Sequence, residues 1–161
     1  MATRIYQAFL DHLKLREGYR DNVYLDTLGN PTCGVGHVLT SEEQTKFATG
    51  DVVKANVIDN WLSEDAQNAW FSAIQQLNDL GLNNLDFLLA LGSVNFQLGT
   101  NWKNKFPSAY KALKDRNYEE AISQISTGSG TNGQSKWKEQ TPVRVEDFIN
   151  AINKLITEQE R

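Results

Sequence analysis

The chain has 161 residues, enough for one domain or two small lobes with a real core, and its 40% apolar and 22% charged residues exclude a disordered chain. Net charge is −4 with a pI near 5.2, and the basic residues are scattered, which argues against nucleic acid as a partner because phosphate binding needs a concentrated basic surface. One cysteine, Cys33, rules out an intramolecular disulfide, and no apolar run approaches the roughly 20 residues needed to span a bilayer.

The N-terminal stretch MATRIYQAFLDHLKLREG lacks the continuous apolar segment of a signal peptide. The expectation is a chain made in a host cytoplasm and carried to its place of action by something else. From Arg4 to Arg16, Ile5, Phe9 and Leu13, with Tyr6 and Leu10 beside them, recur at helical spacing. Gly18 suits the helix end, where a left-handed residue is easily accommodated. Glu17 therefore sits at the carbonyl end of a helix, where the macrodipole disfavours an ionised carboxylate.

Residues 20–38 change period. Val23, Tyr24 and Leu25 read as strand, Thr27-Leu28-Gly29-Asn30 as turn, and Thr32 to Val38 as a second, glycine-interrupted strand. Cys33, a small thiol beside Gly34, reads as a space filler, since neither histidine has an evident place in a Cys-His pair. Ser41 and Gln44 form a capping box opening a short helix. Asp51 opens a mostly helical stretch to about Leu80, with Ala66, Ala69, Trp70, Ala73, Ile74 and Leu77 as its apolar stripe.

LDFLLALGSVNFQLG is apolar nearly all round and reads as a buried central helix. Short helices are expected at Phe106 to Lys114 and Tyr118 to Ile125, a flexible loop at 126–135, and a last helix from Thr141-Pro142 to about Ile156. The predicted fold is α+β and mostly helical: one domain over 1–161, with a small β-hairpin lobe (about 18–60) and a helical lobe (81–161 with 1–17) joined by a long helix (about 61–80).

Glu17 and Asp26 invite a chemical reading. Cleaving a glycosidic bond needs an acid for the leaving oxygen and a second carboxylate for the opposite face. Glu17, beside apolar surface at a helix end, is suited to stay protonated, and Asp26, on a hydrated turn, to stay ionised. Thr32, six residues on and returning along the second strand, is placed to hold a water against Asp26. On spacing alone, such carboxylates are more often capping or solvated residues.

More than spacing is present. R-E-G, Y-L-D-T-x-G and P-T-C-G-V-G-H, with nine residues from Glu17 to Asp26 and six to Thr32, resemble the signature of the phage-type (T4-like) lysozymes, the glycoside hydrolase family 24 endolysins. SVNFQLG (93–99) and SKWKEQTPVRV (135–145) resemble two further motifs of that family, in the same order. The resemblance spans about 5–153 and implies a lysozyme-like fold. It implies Glu17 as general acid, Asp26 as the carboxylate activating water and Thr32 as the residue positioning that water. It further implies Val38, Phe96, Gln97 and Gln124 as glycan contacts, although Phe96 also reads as plain core. Arg144 matches an arginine that approaches the acid, and without the resemblance it reads as a solvated helix charge. His37 matches a histidine that supports the fold through an acidic partner, with Asp65 in the partner position. Neither is assigned to catalysis, and Trp137 and Gln140 are expected to pack behind the cleft.

Two departures stand out. STGSGTNGQS inserts about ten residues before Trp137, and the chain is acidic where many wall-degrading enzymes carry attracting positive charge. The implied activity is a muramidase, without metal or cofactor, hydrolysing the β-1,4 bond between N-acetylmuramic acid and N-acetylglucosamine in bacterial peptidoglycan. Asp26 with Thr32 implies inversion, with carboxylates roughly 6.5–9.5 Å apart. The rivals are a lytic transglycosylase, which cyclises internally, and a catalytically silent glycan-binding module of a virion. The expected setting is a monomer acting on the periplasmic wall, released through a holin or delivered by a virion.

Overall fold

The structure, a computed structural model, describes residues 2–127 and 135–160. The loop expected at 126–135 falls mostly at 128–134, outside the described residues. The chain divides into two units, Met1–Asn68 and Ala69–Arg161. The α+β, mostly helical class holds.

In the first unit, helix α1 (Ala2–Glu17) buries Phe9 and Leu13 completely. It ends where Gly18, at φ +74°, returns its amide to the Lys14 carbonyl at 3.0 Å. Strands β1 (Arg20–Leu25), β2 (Pro31–Gly34) and β3 (His37–Val38) form an antiparallel sheet in that order. Tyr24 pairs with Thr32, Thr32 with Val38 and Cys33 with His37. The single second strand expected from Thr32 to Val38 is thus two strands. Gly34 and Gly36, at φ +70° and +65°, reverse the chain between them, a conformation L side chains rarely adopt. Val23 and Cys33 face a small core with Leu39, Val53, Ile58 and Trp61. Tyr24, Thr32 and Val38 occupy the other face.

Helix α2 (Ser41–Lys46) is capped one residue earlier than expected. The Glu43 amide donates to Thr40 Oγ1 at 3.2 Å, and the Thr40 amide donates to Glu43 Oε1 at 2.8 Å. The next helix starts later than expected. Residues 51–53 run extended along β1, with bonds of 2.9 Å from the Val23 amide to Asp51 and 2.7 Å from the Val53 amide to Asp21. The β-branched pair Val52-Val53 favours that pairing over a helical turn. Helix α3 (Ala55–Asp79) follows, and the boundary between the units falls inside it.

The second unit is helical: the rest of α3, then α4 (Leu85–Leu98), α5 (Trp102–Lys105), α6 (Pro107–Lys114), α7 (Tyr118–Thr127), α8 (Lys136–Gln140) and α9 (Pro142–Glu160). Helices α5 and α8 were not expected; each is one short turn, too brief for periodicity to show. The core packs Phe87, Leu91, Trp102, Leu113, Ile125 and Phe148. Ile74, expected in the apolar stripe of α3, is 39% exposed, and Gln76 takes the inward position at 6%. Gln76 and Asn95 exchange amide hydrogen bonds at 3.0 Å, and Trp102 Nε1 donates to Gln76 Oε1 at 3.4 Å. A polar residue at a buried helix position is tolerated because its partner satisfies it.

Candidate active site

Three elements of the first unit bring Glu17, Asp26 and Thr32 into play. Glu17 is the last residue of α1, and its carboxylate lies against the β2–β3 turn. A Cβ added to Gly36 would stand 2.7 Å from Glu17 Oε2, so only a glycine lets the turn approach the acid this closely.

Asp26 closes the β1–β2 turn. Its amide donates to the Asn30 carbonyl at 2.9 Å, and the Gly29 amide donates back to the Asp26 carbonyl at 3.0 Å. The carboxylate accepts from the Leu28 amide at 2.9 Å and the Asn30 amide at 2.8 Å, both on Oδ1. Among the described residues, Oδ2 accepts only from Asn30 Nδ2, at 3.3 Å. Burial pushes the Asp26 carboxyl up, but the hydrogen bonds from Asn30, Leu28 and Gly29 outweigh it and hold the group below the ordinary aspartate range. Asp26 is therefore ionised at neutral pH, with lone pairs on Oδ2 left for a further donor.

Thr32 is 3% exposed, and its hydroxyl donates to the Asn30 carbonyl at 2.9 Å. Because its hydrogen is committed there, Thr32 Oγ1 can only accept. Asn30 thus organises both neighbours: it donates to Asp26 and accepts from Thr32. Val38, paired with Thr32 on the same face, is 50% exposed.

His37 lies on the opposite face, stacked on Trp61 with ring centroids 4.5 Å apart. Nδ1 meets Asp65 Oδ2 at 2.6 Å and Nε2 meets Glu43 Oε1 at 2.8 Å. Two carboxylates require two N–H donors, so the ring is the imidazolium. Burial works against that charge, but Asp65 and then Glu43 outweigh it and raise the His37 pKa. The sequence reading did not find Glu43. Its signal was present in T-x-x-E, read one residue late as Ser41 with Gln44.

In the second unit, Gln97 is held from both ends: Nε2 donates to Thr141 Oγ1 at 2.9 Å and Oε1 accepts from Trp137 Nε1 at 3.0 Å. Phe96 beside it is half-buried. Trp137 is buried as expected, 6.0 Å from Phe148 between ring centroids, but Gln140 is exposed rather than packed. Arg144, at 8% exposure, donates through Nη2 to the Ser93 carbonyl at 3.1 Å and Ser93 Oγ at 2.9 Å. It is a buried, anchored cation and not the solvated helix charge that its position alone suggested. Gln124 donates to Glu120 within α7 at 2.8 Å.

Among the described residues, no group of three histidine, cysteine or acidic side chains is placed to hold a metal. No described helix is long and apolar enough to cross a membrane.

The sequence matches the phage lysozyme family over residues 14–141. It is 32% identical over 136 residues, 84% of this chain, to the peptidoglycan hydrolase gp36 of Pseudomonas phage phiKMV, of whose length the match spans only 14%. It is 29% identical over 162 aligned positions to the probable T4-type lysozyme 2 of Dictyostelium discoideum, covering 88% of this chain and 91% of that protein. A match that begins before Glu17 and runs through Asp26, Thr32, Gln97 and Trp137 takes in both units, and the chain belongs to the phage lysozyme family.

Proposed function

We propose that the chain hydrolyses bacterial peptidoglycan as a muramidase, cutting the β-1,4 bond between N-acetylmuramic acid and N-acetylglucosamine. The observation that carries this reading is the β1–β2 hairpin. Asn30, with the Leu28 and Gly29 amides, keeps Asp26 ionised, and its carbonyl turns Thr32 into a pure acceptor, while Glu17 abuts the next turn through Gly36.

The reaction runs in one displacement. Glu17 gives its proton to the glycosidic oxygen as the bond to the anomeric carbon breaks. A water held by Asp26 and Thr32 attacks that carbon from the other face, and its proton passes to Asp26. The products are two shorter glycans, one with a new, inverted reducing end. Val38 in the first unit and Phe96, Gln97 and Gln124 in the second are the proposed glycan contacts. Arg144 and the His37–Asp65 pair support without reacting. The protein acts as a monomer on the wall, released through a holin or delivered with a virion.

Product analysis tests this reading. Digests of purified peptidoglycan must gain one water per cleavage and show the inverted anomer before mutarotation. Anhydro-sugar products would make the chain a lytic transglycosylase, and intact glycan with tight binding would make it a silent binding module.

A further inference from the structure

Tyr24 stands directly opposite Thr32 in the β1–β2 register, so the two share the sheet face turned away from Val23 and Cys33. Asp26 follows two residues later in the chain. The Arg20 guanidinium carbon lies 4.0 Å from the Tyr24 ring centroid, a cation–π contact that fixes the ring and covers one side of it. The Tyr24 hydroxyl has no hydrogen-bond partner among the described residues. Burial raises its pKa, Arg20 opposes this, and the charges of Glu17 and Asp26 raise it again. The phenol is therefore a neutral O–H at any pH where a carboxylate pair works.

A water molecule has two hydrogens and two lone pairs. In the reaction proposed above, Asp26 takes one hydrogen and Thr32 accepts the other, because the hydroxyl hydrogen of Thr32 belongs to the Asn30 carbonyl. One lone pair attacks the anomeric carbon. The second has no donor from Asp26 or Thr32, and without one the water can rotate about the line joining its two acceptors. We propose that the Tyr24 hydroxyl is that donor, a positioning residue that completes the coordination of the attacking water. Its hydrogen stays on the phenol throughout, and the proton released by the water goes to Asp26. This role rests on the hydrolase reading.

The test compares Tyr24→Phe, Thr32→Ala, the double variant and Glu17→Gln in the full chain. Tyr24→Phe keeps the ring and the Arg20 stack and removes one oxygen. The readouts are kcat and KM on purified glycan strands, with thermal stability alongside. Tyr24→Phe is expected to lower kcat on the order of tenfold with KM and Tm unchanged. Its loss should not multiply with that of Thr32→Ala, because both variants release the same water. Parental kcat in Tyr24→Phe, a loss confined to KM, or losses that multiply fully would each overturn the role. An inert Glu17→Gln beside a fully active Tyr24→Phe removes only the Tyr24 role. A fully active Glu17→Gln removes the hydrolase reading itself.

Discussion

The two units hold their polar groups in different ways. In the first, the core cluster around Val23, Cys33 and Trp61 is small, and charge organises what surrounds it: an imidazolium between Asp65 and Glu43, and an aspartate ringed by amides at the hairpin turn. In the second, the core is large and aromatic, and neutral groups there satisfy each other, the buried amides Gln76 with Asn95 and the half-buried Gln97 amide with the Trp137 indole. Charged networks respond to pH, whereas amide pairs do not. The proposed chemistry and the His37 response to pH lie in the first unit, whereas the Gln76–Asn95 amide pair of the second does not titrate.

The strongest way to test that division is Glu17→Gln. Loss of the acid should reduce wall clearing by roughly 10²–10⁴-fold in a turbidity assay, with the melting temperature preserved.

Gly36→Ala comes next, read against Gly29→Ala. Both glycines have positive φ, +65° and +84°, so each alanine costs about 1–2 kcal/mol of backbone strain. Only at Gly36 does the new methyl group meet Glu17, while at Gly29 nothing lies within 4 Å. Similar melting temperatures with activity lost only in Gly36→Ala are expected; equal activity in the two would dismiss the contact.

His37→Gln should destabilise the chain by about 1.5–3 kcal/mol at mildly acidic pH, the usual worth of hydrogen bonds to a charged group. The sign follows from the raised pKa. The His37 contribution is complete below the unfolded value near 6.5 and disappears as pH rises through the higher folded value. For Glu43, burial raises the pKa, but the Thr40 amide and His37 outweigh it and lower the carboxyl, so its contribution is complete above 4.5 and lost as pH falls through the depressed value. Parental stability should therefore peak between these limits, and the decline on the alkaline side should vanish in His37→Gln. An unchanged alkaline decline in the variant would assign it to another group.

The smallest effect belongs to the second unit. Gln76→Ala removes the Gln76 bonds of the Asn95 amide and of Trp102 Nε1, leaving Asn95 only its bond to the Ala69 carbonyl, and should cost about 1–3 kcal/mol, the cost itself not depending on pH across the same range. A difference between parent and variant that changes with pH would dissolve the contrast between the units.

Periodicity and turn chemistry made much of the fold legible. Phe9 and Leu13 marked the buried face of α1, Gly18 its end, and Thr27 to Asn30 the hairpin turn. The apolar run from Leu85 to Leu98 marked the buried α4. Errors came where one local rule had to be chosen over another. Gly34 and Gly36 read as interruptions in a strand, but two left-handed residues one apart reverse it. Val52-Val53 read as a helix start because pairing with β1 is invisible in the local pattern. Ile74 read as part of the buried stripe because the partner that lets Gln76 face inward instead, Asn95, lies nineteen positions further along the chain.

The candidate site divides along the same line. Glu17, Asp26 and Thr32 were visible because residue type, spacing and turn chemistry are local properties, and a family signature is written in them. What each side chain meets was not visible. Asn30 joining Asp26 to Thr32, Tyr24 standing over Thr32, Glu43 on the second nitrogen of His37 and Ser93 beneath Arg144 are all matters of register and packing. The chain by itself singled out the groups proposed to carry the chemistry. Only the tertiary structure decided which of them are charged, which hydrogens are already committed and which remain for substrate, because hydrogen bonds and desolvation depend on distance in space and not on distance along the chain.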